Sequence, residues 1–212
     1  MTDFSSRRDY AAGELHEDEV LADPVLQFNL WLTAAVADER IDEPHAMSLA
    51  TTEDGQPKCR IVLLRRVDET GMSFFTNYDS DKGHQLDQNP YAALTFYWGP
   101  MERQVRVEGA VQRLSAKASD DYFTSRPYMS RLGALASPQS TIIADRYVLS
   151  TRMEQLKGEF PEGSDIPRPQ NWGGFVVAPE MIEFWQGRRS RLHDRLRYSK
   201  ASGEWMVQRL AP

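Results

Sequence analysis

From Ala46 onward the chain is punctuated into short strand-like segments separated by tight turns, and this constrains its fold more than any other feature. Segments 46–52, 58–67 and 72–77 are joined at Asp54-Gly55 and at Glu69-Thr70-Gly71, turn chemistry that links antiparallel neighbours. Segments 91–98 and 103–113 follow, the second alternating Val105 and Val107 with Arg106 and Glu108. Segments 173–178, 181–186, 191–198 and 204–209 complete the strand-like set. Parallel strand–helix–strand alternation is absent. The pattern predicts an α+β fold, mainly antiparallel β, most economically a β-barrel with peripheral helices.

The helices sit between and before these strands. Asp23-Pro24 opens one, with Asp as N-cap and Pro tolerated in the first turn. Leu26, Leu30, Ala34 and Ala37 recur at helical spacing and predict the centre of its buried face. Ser80 caps a short helix running to Asn89, before Pro90. Ser115 starts another to about Ser125, and 130–136 and 143–160 read as two more. Residues 1–22 are charged, without clear apolar periodicity, and predict a mobile or conditionally ordered arm. Residues 23–212 then form one domain, a length that buries a substantial core.

Composition excludes several function classes. Of 212 residues, 41% are hydrophobic and 26% charged, as in soluble globular proteins. The net charge of −6 argues against a dedicated nucleic-acid binder, which needs a basic footprint. No run approaches the roughly 18 apolar residues of a membrane span, and the polar first ten residues lack the apolar core of a secretory signal. Cys59 is the single cysteine, so no intrachain disulfide forms and a cytoplasmic, reducing setting is expected. His16, His45, His84 and His193 show no metal-type spacing, and no metal is expected.

The segment Glu183-Phe184-Trp185-Gln186-Gly187-Arg188-Arg189-Ser190-Arg191-Leu192-His193-Asp194-Arg195 carries the densest chemistry. If 191–195 is extended, Arg191, His193 and Arg195 share one face. Such cations repel one another unless an anion or solvent sits among them. Beside Phe184 and Trp185 they would suit a planar, phosphate-bearing ligand; a solvated edge strand would show the same charge pattern.

Other clusters are weaker alone. Arg60 and Arg65 frame an apolar block but fall on opposite faces of a regular strand, so one ligand meets both only through a bulge, a strand-end twist or another subunit. Ser80-Asp81-Lys82-Gly83 opens a helix whose N-terminus suits a phosphate, although Asp81 opposes it. Glu102-Arg103-Gln104 and Gln139-Ser140 offer hydrogen bonds to a flavin-like ring or a phosphate. Tyr122, Arg126 and Ser130 are spaced to share a helical face, but Pro127 interrupts it and puts Ser130 in the following loop. The trio reads either as a monophosphate cup or as ordinary surface.

Taken together these positions resemble the pyridoxamine/pyridoxine 5′-phosphate oxidase family. Glu183-Phe184-Trp185 followed by Arg191-Leu192-His193-Asp194-Arg195 is the most specific match. Arg60-Ile61-Val62-Leu63-Leu64, Phe75-Thr76-Asn77, Glu102-Arg103-Gln104-Val105, Ser125-Arg126-Pro127, Gln139-Ser140, Trp172-Gly173-Gly174-Phe175 and Arg209-Leu210-Ala211-Pro212 support it. The resemblance runs from about Arg7 to the last residue.

It implies an FMN-binding split β-barrel, a homodimer with the flavin at the subunit interface. It implies oxidation of pyridoxamine or pyridoxine 5′-phosphate to pyridoxal 5′-phosphate, with hydride transfer from C4′ to flavin N5 and O2 reduced to H2O2. Carried over by motif, FMN would be held by Arg60, Ile61, Val62, Leu63, Leu64, Arg65, Phe75, Thr76, Lys82, Gln104, Gln139, Ser140, Trp185 and Arg195. Substrate would meet Arg7, Tyr10, Arg65, Tyr122, Arg126, Ser130, Arg191, Leu192 and His193, with Arg191 and His193 the catalytic positions. Three positions depart from the family's common residues: Arg65 stands for a Lys, Asp81 for an Arg and Phe75 for a Tyr. A flavin oxidase of another ring, of the phenazine-biosynthesis type, and a non-enzymatic flavin or pyridoxal-phosphate carrier are the alternatives.

Overall fold

The computed structural model describes residues 9–201 and 203–212. Helix α1 (Pro24–Ala37) leads into β1 (Ala46–Glu53), β2 (Gln56–Leu63), β3 (Arg66–Asp68) and β4 (Gly71–Asn77). Then come α2 (Asp81–Gln88), β5 (Tyr91–Trp98) and β6 (Arg103–Arg113), followed by α3 (Ala116–Ser125), α4 (Tyr128–Ala136) and α5 (Tyr147–Glu159). Strands β7 (Trp172–Gln186), β8 (Asp194–Ala201) and β9 (Glu204–Arg209) end the chain. The strands pair antiparallel in the order β2-β1-β5-β6-β7-β4-β3, and β8 joins β7 to β9.

The two ends of that path, β2 and β3, are consecutive in sequence. Segment 58–67, expected as one strand, breaks at Leu64 and Arg65, where the chain changes partner. The Leu64 N–H still bonds the carbonyl of His45 before β1, whereas the Arg65 N–H bonds Ser73 in β4. Two residues therefore tie the sheet's edges together, so the sheet curls into a barrel that is fastened at one end and split elsewhere. The break also removes the parity problem, since Arg60 and Arg65 no longer belong to one regular strand.

Strand β7 is continuous where two segments were expected. Its first half pairs with β4 and its second half with β8, while β6 runs along both. The change occurs at an irregularity between Glu108 and Gly109 of β6. A side chain at Gly109 would collide with the Ala178 carbonyl, so glycine is what lets the backbones close here.

Helix α1 is capped as predicted: Asp23 accepts from the N–H groups of Val25 and Leu26. Its buried face differs from the prediction. Gln27, Phe28, Trp31 and Ala35 point inward, while Leu26 and Leu30 are each 56% exposed. The bulky aromatics decide the rotation, because burying a ring removes more apolar area from water than burying a leucine. Phe28 packs 4.9 Å from Phe96, and Trp31 meets Phe184 edge-on at 5.1 Å. With Leu49, Leu64, Phe74, Leu94, Val107 and Leu196 they form the barrel core.

A second core of Phe123, Leu132, Ala136, Leu156, Ile166 and Trp172 holds α3, α4 and α5 against the start of β7. Helix α5 starts at Tyr147 rather than at 143, leaving 137–146 as a loop. Among the described residues no helix is long and apolar enough to cross a membrane.

Candidate active site

A cavity of about 540 Å³ opens where the end of β2, β4 and the α3–α4 corner converge. Ile61, Val62, Leu63 and Arg65 line one side and Phe75, Thr76 and Lys82 another; Tyr122, Arg126, Ser130, Gln139 and Trp172 complete it. Ser130 lies in the first turn of α4 and not in a loop, because Pro127 ends α3 and at once caps α4, the Ser130 N–H bonding the Pro127 carbonyl. Tyr122, Arg126 and Ser130 thus reach one cavity from two helices.

The cavity is electropositive. Among the described residues none of Arg60, Arg65, Lys82 and Arg126 has a carboxylate within ion-pair distance. Arg126 lies over the Trp172 ring at 4.6 Å, and its buried Nη1 has no hydrogen-bond partner. Burial lowers its pKa; the nearby Tyr122 opposes that and the Arg65 charge adds to it. A buried guanidinium N–H left unpaired is costly unless an anion meets it. Phe75 stacks 3.8 Å from Tyr122 and 5.6 Å from Trp172, all nearly parallel, so flat apolar surface stands beside these cations.

An adjoining cavity of about 400 Å³ is lined by Arg60, Asp81, Lys82, Gln85 and Ser140. Arg60 donates to Thr51 Oγ1 at 2.5 Å and Gln85 Oε1 at 2.7 Å. Lys82 donates to Gln139 Oε1 at 2.9 Å and to Thr76 Oγ1 at 3.2 Å. Burial, then the charge of Arg60, pushes the Lys82 pKa down, with Asp81 opposing. The Asp81 N–H bonds Ser140 Oγ. A phosphate-bearing aromatic cofactor such as FMN fits this donor set: unpaired cations and hydroxyls at one end, stacked rings at the other. Leu64 is the exception in its segment, with its side chain buried in the barrel core.

The remaining predicted residues form a second group. Gln104, Trp185 and Arg195 are direct neighbours across β6, β7 and β8. Arg195 is held by Glu183, which is 1% exposed and also accepts from Arg197. Burial acts to raise the Glu183 pKa, but the bonds from Arg195 and Arg197 and the charges of Arg195 and Arg106 outweigh it and hold it low. The expected extended row does not form. Arg189–Arg191 is a single 3₁₀ turn in which Ser190 and Arg191 take positive φ, 56° and 61°, and β8 begins only at Asp194. Asp194, where β8 starts, has its buried carboxylate bonded by Leu15 N–H, Arg188 and Arg209.

His193 sits 4.7 Å from the Trp185 ring, and its Nδ1 accepts the Arg188 N–H at 3.0 Å. Burial, followed by the Arg191 charge, lowers its pKa against the pull of Asp194. The ring is therefore neutral near pH 7, with its proton on Nε2. Tyr10 meets both rings edge-on. Arg191 and Leu192 are exposed on the hairpin. Arg7 lies outside the described residues.

Among the described residues, neither of the two cavities above is lined by a member of the second group. Sequence reasoning gave no role to Trp172, which floors the first, or to Glu183, which anchors Arg195; Glu102, read as a possible donor or acceptor to a ring or phosphate, instead accepts from the Ala11 and Ala12 N–H groups. Glu183 carried a usable signal: it stands two residues from Trp185, on the same strand face.

Residues 32–159 match the pyridoxamine 5′-phosphate oxidase family, and residues 172–212 match the pyridoxine 5′-phosphate oxidase C-terminal dimerisation region. The chain belongs to the pyridoxamine 5′-phosphate oxidase family. It is 50% identical over 209 residues to a pyridoxine/pyridoxamine 5′-phosphate oxidase of Salinibacter ruber, with 97% of each chain covered. It is 51% identical over 208 residues to one from Gloeothece citriformis, covering 97% of this chain and 96% of the relative. Among solved structures, PhzG from Burkholderia lata in complex with tetrahydrophenazine-1-carboxylic acid superposes with TM-score 0.87 at 30% identity, covering 93% and 98% of the two chains. The family's dimerisation region contains Trp185, Arg191, Leu192, His193 and Arg195 of the second group.

Proposed function

We infer that this chain is a pyridoxine/pyridoxamine 5′-phosphate oxidase, an FMN-dependent homodimer that makes pyridoxal 5′-phosphate. The observation that carries the reading is the pairing of Arg126, with its unmatched buried N–H, and Arg65 at one cavity with Tyr122 and Ser130. A phosphomonoester satisfies that cup; a phenazine carboxylate lacks the extra oxygens and charge to do so. Bound FMN supplies the redox chemistry, accepting a hydride from the substrate's C4′ at N5 and reducing O2 to H2O2.

The chain's own residues supply binding and orientation. Arg60, Lys82, Thr76, Gln139 and Ser140 hold the cofactor's phosphate end, and the backbone of 61–65 with Phe75 lines its rings. Arg126, Tyr122, Ser130 and Arg65 fix the substrate phosphate. Gln104, Trp185 and Arg195 approach the cofactor from the other protomer, so each site draws on both chains. Arg191 and neutral His193 face the substrate ring, His193 offering Nε2–H as a donor, and Tyr10 covers them. The lone cysteine supports a cytoplasmic setting.

Purified protein should be yellow. Anaerobic pyridoxamine 5′-phosphate should bleach the flavin and air should restore it, while unphosphorylated pyridoxamine and a phenazine precursor bleach it far more slowly. Absence of bleaching with the phosphorylated amine overturns the reading.

A further inference from the structure

Glu102 stands in an uncommon place. It follows the 3₁₀ turn Gly99–Met101 and adopts the left-handed backbone, φ 54° and ψ 39°. A residue with a Cβ sits there only when its surroundings hold it. Its surroundings do so from both sides: its N–H bonds the Gly99 carbonyl, and its own carbonyl accepts from the Gly187 N–H at 2.8 Å and from Gln186 Nε2 at 3.2 Å. This backbone turn aims the side chain inward, where it is 3% exposed.

The carboxylate is spent on the N-terminal arm. Glu102 Oε2 accepts from two successive backbone N–H groups, Ala11 at 2.7 Å and Ala12 at 2.8 Å. Two amides converging on one carboxylate oxygen are charge-assisted bonds, roughly twice as strong as neutral ones. They lie immediately after Tyr10 and so fix the backbone from which that ring departs. Tyr10 then meets Trp185 at 5.7 Å and His193 at 5.5 Å, both edge-on. Gly187 allows the approach: a Cβ there would lie 2.9 Å from Tyr10 Cγ and 3.0 Å from Glu102 Cβ. Tyr10, Glu102 and Gly187 form one close-packed joint.

The rest of the arm is tied elsewhere. Leu15 N–H bonds Asp194, Glu14 pairs with Arg188 at 2.8 Å, and Glu17 pairs with Arg209. Those anchors hold residues 14–17 to Asp194, Arg188 and Arg209 independently of Glu102. Glu102 holds the stretch that carries Tyr10.

We propose that Glu102 is a positioning residue that seats the arm so that Tyr10 closes over the Trp185–His193 pair on the substrate side. The proposal rests on the oxidase reading and adds a residue whose carboxylate acts through the backbone of the arm. Its action runs through Tyr10: loss of the seat raises KM for the phosphorylated substrate and leaves flavin binding alone.

The test uses the full-length FMN-loaded dimer with Glu102→Gln, which keeps the volume, Glu102→Ala, Tyr10→Ala, and the Glu102→Ala/Tyr10→Ala double variant. Hydrogen exchange followed by mass spectrometry on a peptide spanning 9–15 should show the Ala11 and Ala12 amides exchanging about tenfold faster in Glu102→Ala and a few-fold faster in Glu102→Gln. KM for pyridoxamine 5′-phosphate should rise about five- to tenfold in Glu102→Ala, with kcat and the flavin Kd within about twofold. The double variant should match Tyr10→Ala alone, the non-additivity of two residues acting as one unit. Unchanged exchange in both Glu102 variants, or KM effects that multiply in the double variant, overturns the proposal. Exchange reads the seat independently of catalysis, so a failed bleaching experiment with accelerated exchange sinks the oxidase reading and not the seat.

Discussion

Arg195 donates Nε–H to Glu183 Oε1 at 2.9 Å, with its Nη2 ion-paired to the same oxygen at 2.8 Å, and its Nη1 donates to the Ala211 carbonyl at 3.0 Å. The guanidinium is thereby held by two hydrogen bonds and an ion pair before any ligand arrives. Glu183 is flanked across the sheet by Arg106 and Arg197, so one buried carboxylate balances a row of cations. In Glu183→Gln that balance is lost at unchanged volume. Breaking a buried pair in this way should lower stability by about 3–5 kcal/mol, read from the urea midpoint. Flavin Kd, read by fluorescence quenching, should weaken about tenfold; unaltered affinity in a folded variant would remove Arg195 from the cofactor's ligands.

Arg126→Ala should depress kcat/KM for pyridoxamine 5′-phosphate by about 100-fold or more, since a buried charge-assisted grip of roughly 1.5–3 kcal/mol per bond disappears. The unphosphorylated amine should hardly notice. Steady-state kinetics on both amines decides the matter, and an equal loss on the two would mean that Arg126 serves the fold rather than the phosphate.

His193 should titrate below its ordinary value of 6.5, because burial and Arg191 disfavour the cation. Folding therefore favours the neutral ring: the contribution is intact above pH 6.5 and is lost as pH falls below it, where the unfolded chain takes up the proton first. Imidazole NMR signals followed against pH, with His193 assigned by its disappearance in His193→Asn, should show the low midpoint. A midpoint at or above 6.5 contradicts the geometry.

Acid should act next on Glu183 and Asp194. Burial raises both carboxyls, but hydrogen bonds from Arg195 and Arg197 in one case, and from Leu15 N–H, Arg188 and Arg209 in the other, bring them below 4.5 and 3.8. Their stabilisation is complete above those values and fades as pH drops through the lower folded-state pKa values. The acid limb of the urea-midpoint profile should shrink in Glu183→Gln; an identical limb would assign acid sensitivity elsewhere.

Gly109→Ala should destabilise more than an ordinary surface change, by roughly 2–4 kcal/mol, because the new methyl collides with backbone and not with a movable side chain. Thermal melting beside Gly133→Ala, where a methyl meets open space on α4, provides the contrast. Equal midpoints would mean that β6 and β7 can shift apart at the irregularity.

The strand pattern and turn residues made the antiparallel α+β class legible, since period-two alternation and Asp-Gly turns act locally. What acts over distance was not legible. The face of α1 was set by Phe28 and Trp31 competing for the barrel interior, a contest that leucine spacing does not reveal. The strand break at Leu64 and Arg65 depends on which neighbour each amide meets. Arg191 left the expected row because it closes a 3₁₀ turn in which it and Ser190 take positive φ, a conformation that residue type and spacing do not announce. Tyr122, Arg126 and Ser130 were readable as a trio of residue types, but Ser130's place at their common cavity required Pro127 to start a helix as well as end one.

The length of β7 has a further consequence. Trp172 begins it beside one cavity and Trp185 lies near its other end, thirteen positions later. On the proposed reading the two groups come to one flavin from different protomers, so each chain is a donor to one site and a host to the other. Mixing Arg126→Ala protomers with Arg191→Ala protomers should therefore regenerate one intact site in each heterodimer, from two parents that are each inactive.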